Sequence, residues 1–238
     1  MSDSLLSLTG VYRNFGDLET LQDITLTIQR GEFVAIVGPS GCGKTTLLNL
    51  LSGHDKPSSG TVERTGVVRQ VYQQDGLFPW MTVSQNIALG VSESDKVNAI
   101  SEMLKLIRME NFSEHFPHQL SGGMRQRVEL ARALAGESDI LLMDEPFSAL
   151  DYISRLRMRN EIAHLLHERP RTVVLVTHDI EEAAQLADRV LVLSERPARL
   201  VKELKIELPR PRELTHPEVV GAIHNILMQL GLETQSSR

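Results

Sequence analysis

The chain opens on alternation. Over residues 5–11, and again over 22–28, apolar and β-branched residues recur at about every second position. A period of two predicts half-buried strands, and the pair reads as an antiparallel hairpin joined by a loop at 15–20. The pattern then changes. EFVAIV (32–37) is a short continuous apolar run, as expected of a strand buried on both faces. TLLNLLSG (46–53) reads as a helix closing on a C-capping glycine. A turn at 58–60 and a strand at 67–72 follow. From Thr82 to about Ala135 the pattern is helical, with Met103, Leu104, Ile107 and Met109 roughly on one face and no convincing strand. Three more short apolar runs, at 140–143, 172–176 and 190–193, alternate with helical stretches at 149–168 and 180–187. That alternation predicts a parallel sheet flanked by helices. After Glu195 come a strand-like stretch at 200–208, a Pro-Arg-Pro-Arg break at 209–212, an amphipathic helix near 216–230, and a polar ETQSSR end that reads as a frayed tail.

Composition narrows this picture. With 238 residues the chain can bury a full α/β core, alone or with a subdomain. Its 25 basic and 31 acidic residues leave a net charge of −6, which gives no electrostatic footprint for nucleic acid. The single cysteine, Cys42, excludes an internal disulfide and suits a reducing cytosol. MSDSLLSLTG lacks the charged and apolar regions of a signal peptide. No apolar run approaches the ~20 residues that span a bilayer, so a membrane would enter through a partner.

Three stretches carry chemistry. GPSGCGKT comprises Gly38, Pro39, Ser40, Gly41, Cys42, Gly43, Lys44 and Thr45, and Thr46 follows it. It fits G-x-x-x-x-G-K-S/T, set between a strand and a helix as the phosphate-cradling loop requires. Glycines let backbone N–H groups approach phosphate oxygens, and the helix N-terminus adds partial positive charge. Lys44 can reach the β- and γ-phosphates, and the Thr45 hydroxyl can ligate Mg²⁺. ILLMDEP (140–146) is an apolar strand ending in two carboxylates. Asp144 would help hold Mg²⁺, and Glu145 would polarise an attacking water as general base. LSGGMRQRV (120–128) places Ser121 as N-cap of a helix, with Gly122 and Gly123 baring its amides. This is a second phosphate cradle, more than one nucleotide needs. A head-to-tail dimer resolves the surplus, with Ser121–Gly122–Gly123 of one subunit closing over the nucleotide of the other. Cys42 at a helix N-terminus is expected to have a lowered thiol pKa, so that a thiol reagent would block the loop.

GPSGCGKT, LSGGMRQRV, LLMDEP, SALD and THD occur in this order, and together they resemble the ATP-binding subunit of an ABC transporter. The resemblance covers about Leu5 to Leu208. It implies an α/β P-loop NTPase fold: a mixed, mostly parallel sheet flanked by helices, with an antiparallel β subdomain and an inserted helical subdomain. It divides a single ABC ATPase domain into a RecA-like core with β subdomain (about 1–81 and 137–208), a helical subdomain (about 82–136), and a C-terminal strand and helix (about 198–231).

It also implies a homodimer sandwiching two ATP molecules with Mg²⁺, on the cytoplasmic face of the inner membrane. Phe15 matches the aromatic residue that stacks on adenine. Gln73 matches the glutamine that touches Mg²⁺ or the attacking water. SALD, ending in Asp151, matches the loop that crosses the dimer interface, and His178 matches the switch histidine at the γ-phosphate. GLFPWMTV (76–83) lies where the family receives its membrane subunit, so Phe78, Pro79 and Trp80 are expected to form an exposed docking patch. That permease would in turn meet a periplasmic or lipid-anchored solute-binding protein. The Pro-Trp pair, LSERPARLV and LPRPR are similar to an importer branch for nitrate, sulfonates such as taurine, bicarbonate and pyrimidine vitamin precursors. The rival readings are a soluble ABC-type ATPase acting on DNA or ribosomes, and the energising half of an exporter.

Overall fold

The computed structural model describes residues 4–73, 76–91 and 96–232. Among these residues nine strands form two sheets. β1 (Ser4–Phe15), β2 (Leu18–Gln29) and β4 (Ser59–Arg64) make a three-stranded antiparallel sheet in the order β2-β1-β4. The second sheet has six strands in the order β5-β6-β7-β3-β8-β9: β5 (Val68–Val71), β6 (Ile140–Asp144), β7 (Thr172–Val176), β3 (Phe33–Val37), β8 (Arg189–Leu193) and β9 (Leu200–Lys205). The first five are parallel and β9 closes the edge antiparallel.

Alternation along β3 explains the layering. Val34 and Ile36 face a core shared with the antiparallel sheet and helix α1 (Lys44–Ser52). Phe33, Ala35 and Val37 face a second core, built by α2 (Val83–Ala88), α3 (Lys96–Leu106), α4 (Gly122–Ala135), α5 (Tyr152–Glu168), α6 (Ile180–Leu186) and α7 (Pro217–Gln229). β3 is therefore buried on both faces, which is why its sequence is continuously apolar. Helix α1 lies between the sheets, and Leu47, Leu48, Leu50 and Leu51 are fully buried. Each contributes about 1.5–3 kcal/mol of transfer free energy. Gly53 ends the helix in the left-handed region, φ 86°, its N–H returning to the Asn49 and Leu50 carbonyls.

The structure corrects two local expectations. Residues 15–20 are not a loop: β1 runs through Phe15 and β2 begins at Leu18, leaving Gly16 and Asp17 as the turn. Gly16, at φ 59°, supplies the conformation such a short connection needs. Residues 58–60 are not a free turn either, because Ser59 and Gly60 begin β4. This edge strand shows no apolar alternation, since most of its residues are exposed. Gly60 lies so close to β1 that a Cβ there would run into the Gly10 carbonyl. Across 82–135 the described residues form helices α2 to α4 with two single helical turns and no strand. The ETQSSR end lies outside the described residues.

Candidate functional site

The phosphate-loop motif lies at the C-terminal end of β3, in the middle of the six-stranded sheet. Ligands of open α/β sheets sit at this edge. Gly41 and Gly43 have φ of 71° and 123°, which side-chain-bearing residues rarely adopt. A Cβ on Gly43 would meet Thr20 and Leu21 at 3.0 Å, so the loop is pressed against β2. No side chain caps α1, whose first-turn amides remain available to an anion. Lys44 is nearly buried and donates to the carbonyls of Gly38 and Pro39, both at 2.9 Å. Its ammonium is thus held over the loop by the loop's own backbone.

A cavity of about 360 Å³ opens above these residues. Ser40, Gly41, Gly43, Lys44, Thr45 and Thr46 form its floor, and Phe15, Gln73 and Glu145 line it too. Phe15 is half exposed, with the Arg13 guanidinium 4.1 Å from its ring centroid. Gln73 donates to Glu145 Oε2 at 3.3 Å. His178 Nδ1 lies 3.2 Å from Glu145 Oε1. Glu145 thereby joins three elements: β5 through Gln73, β6 through its own chain, and the segment after β7 through His178. Its φ of 48° is unusual for a side-chain-bearing residue, a strain of order 1–3 kcal/mol. Its neighbours hold it there. The Glu145 N–H donates to the Val176 carbonyl at 2.9 Å, and its own carbonyl accepts from Ser148 Oγ at 3.0 Å and Gln126 Nε2 at 3.2 Å.

Asp144 is buried at the end of β6. Burial pushes its carboxyl above the usual range. The Thr45 hydroxyl opposes that shift, the Glu145 charge adds to it, and Lys44 opposes it. Two hard oxygen donors sit together here, one a carboxylate that pays for its burial. This chemistry fits Mg²⁺.

Other sequence-predicted residues lie elsewhere. Ser121 caps α4, accepting from the Met124 N–H at 3.3 Å, and Ser121, Gly122 and Gly123 do not line the cavity. Gly123 instead abuts the SALD segment: a Cβ there would meet the Ala149 carbonyl at 3.0 Å. Asp151 caps α5, accepting from the Ser154 N–H at 3.0 Å. Phe78 and Trp80 are exposed, as expected of the patch, with ring centroids 5.3 Å apart. Buried Asn86 fixes that segment, accepting from the Phe78 N–H and donating to the carbonyls of Phe78, Met81 and Thr82.

The structure corrects the reading of Cys42. Its thiol is buried, and burial pushes its pKa up, against the lowering charges of Lys44 and Arg196. It is not an activated nucleophile. Sequence reasoning also missed Gln126, Leu18, Thr20 and Arg196. Gln126 is buried and ties α4 to both Glu145 and Ala149, accepting from the Ala149 N–H at 2.9 Å. Leu18, Thr20 and Arg196 line the cavity. Assigning 15–20 to a loop hid the first two, and Arg196 comes from the distant turn after β8.

Residues 21–148 match the ABC transporter family. The chain is 42% identical over 207 residues to the aliphatic sulfonates import ATP-binding protein SsuB of Bacillus licheniformis, covering 83% of this chain and 81% of that one. It is 44% identical over 213 residues to SsuB 1 of Rhodococcus jostii, which carries the same description, covering 87% and 85%. Among solved structures it is similar to the dimeric post-hydrolysis state of the ATP-binding cassette MJ0796 bound to ADP and Pi. The TM-score is 0.76 at 32% identity, over 86% of this chain and all of that one. A triphosphate loop beneath a Glu–His–Gln cluster, on this sheet, defines a nucleotide-hydrolysing cassette. The chain belongs to the ABC transporter family, as an ATP-binding ATPase.

Proposed function

We propose that this ATPase works as a pair, on the cytoplasmic face of the inner membrane, to power uptake of aliphatic sulfonates through a permease. One observation carries the pairing. The second phosphate cradle, at Ser121–Gly122–Gly123, does not reach the cavity of its own protomer. It gains a nucleotide only from a second copy, where Asp151 would lie at the interface beside it. The names of these relatives favour aliphatic sulfonates, the chemical class that includes taurine, over nitrate or bicarbonate.

Within each site the roles follow from chemistry. Phe15 stacks on adenine. The loop amides and Lys44 carry phosphate charge as it develops. Thr45, Gln73 and Asp144 would hold Mg²⁺, which would supply charge neutralisation. Glu145 accepts a proton from the attacking water, and Gln73 and His178 hold its carboxylate in place. Glu145 falls in the core at about 1–81 and 137–208 and Ser121 in the helical subdomain at about 82–136, and closure of the dimer sets the Ser121 tip of one copy over the nucleotide held by the other. Phe78, Pro79 and Trp80 receive the permease, which hands on solute from a periplasmic or lipid-anchored binding protein. Exposed aromatic patches mark such docking sites.

The test is genetic and physical. Deleting this chain should abolish growth on an aliphatic sulfonate as sole sulfur source, while growth on sulfate persists. Trp80→Ala should then lose co-purification with the permease yet keep solution ATPase activity. Unimpaired sulfonate growth in the deletion strain would reject the cargo, and Trp80→Ala that still co-purifies would reject the docking site.

A further inference from the structure

The turn joining β8 to β9 is tied down at both ends. The Ser194 N–H donates to the Arg199 carbonyl at 3.0 Å, and Ser194 Oγ accepts from the Arg199 N–H at 3.0 Å. The Ala198 N–H donates to the Thr20 carbonyl and the Gln22 N–H to the Ala198 carbonyl, both at 2.9 Å. Its stem also packs on the phosphate loop, since a Cβ on Gly38 would meet the Leu193 carbonyl at 3.1 Å. This braced turn carries Arg196 into the cavity. Its Nη2 lies 3.5 Å from where a side chain on Gly41 would begin. The residue is exposed, and no hydrogen bond or ion pair among the described residues engages its guanidinium. A pre-positioned, unspent cation beside a phosphate loop is a binding site lacking its anion.

Topology says which part of the nucleotide it meets. In the order β6-β7-β3-β8, Glu145 and His178 hang from β6 and β7, on one side of β3. Arg196 follows β8, on the other side, next to Thr20 and the hairpin that carries Phe15. It approaches the phosphates from the flank away from the hydrolytic cluster. We propose that Arg196 is a nucleotide-binding residue that contacts the phosphates common to ATP and ADP, giving the site a second cation besides Lys44. The proposal rests on the cavity being the ATP site.

The experiment is calorimetric titration of the intact protein with MgATP and MgADP, beside steady-state ATPase kinetics. Arg196→Ala should weaken both nucleotides by about tenfold, the range of one partly exposed charge-assisted hydrogen bond. Arg196→Lys should recover part of that loss. The kinetic penalty should fall on KM rather than kcat, and the gap from wild type should shrink as salt rises. Arg199→Ala, on the same turn but bonded to Gln22 at 2.9 Å, should bind like wild type. Unchanged ADP affinity in Arg196→Ala would overturn the proposal, as would equal weakening by Arg199→Ala. Intact ADP binding with impaired ATP-dependent dimerisation would overturn it too, moving Arg196 to the subunit interface. Wild-type protein that binds neither nucleotide would instead refute the ATP-site reading.

Discussion

Glu182 is set to make stability depend on pH. It lies buried in the first turn of α6, its Oε2 accepting from the Thr177 hydroxyl at 2.6 Å. Burial is the largest influence and raises its pKa from 4.5 to about 7. The Thr177 hydrogen bond opposes it, the Asp179 charge adds to it, and Arg159 and Arg155 oppose it. A raised carboxyl holds its proton in the folded chain at pH values where the unfolded chain has released it. Its contribution is therefore fully present below pH 4.5 and is lost as pH rises through about 7. From these two values, wild type should lose about 2 kcal/mol relative to Glu182→Gln between about pH 5.5 and about pH 8. Glutamine keeps an acceptor for Thr177 and cannot ionise. Arg155 and Arg159 keep their carboxylate neighbours, Asp179 at 3.0 Å and Glu181 at 3.5 Å. Urea unfolding of both proteins across that window is the assay, read as the difference in unfolding free energy, which cancels other titrating groups. A flat difference, or wild type gaining on the variant as pH rises, would refute the reasoning.

Two further outcomes follow from the site. Phe15→Ala should weaken ATP by roughly tenfold or more, because base–aromatic stacking is worth ~1–3 kcal/mol, while Phe15→Trp should retain affinity in the same titration. Gln126→Leu removes the donor to Glu145 and the acceptor for Ala149, so kcat should fall at least about tenfold with Kd for ATP nearly unchanged; an unaltered kcat would show that Glu145 holds its strained backbone without it.

The layering was legible because β3, β6, β7 and β8 are short apolar runs separated by helical stretches, and β1 and β2 alternate. β4 was not, because an exposed edge strand held by backbone pairing carries no apolar signal. The hairpin turn was misjudged for a related reason: Leu18 and Thr20 are strand residues at a cavity mouth, and their pattern resembles a loop's. At the site, Lys44, Thr45, Asp144 and Glu145 sit in local motifs, so spacing alone gathered them. Arg196, Gln126 and Glu182 owe their environments to contacts between distant segments, which no local pattern encodes. Cys42 failed for the same reason. Its place at a helix start argued for a lowered pKa, yet its burial under the loop decided the direction.

The account turns on one nucleotide being gripped by two copies of the chain, and Glu145→Gln tests this most directly. The amide should leave ATP binding intact while stopping its hydrolysis. Size-exclusion chromatography with light scattering should then show a monomer without nucleotide or with ADP, and a dimer of twice that mass in MgATP. A variant that binds ATP stoichiometrically and remains monomeric at saturation would contradict it.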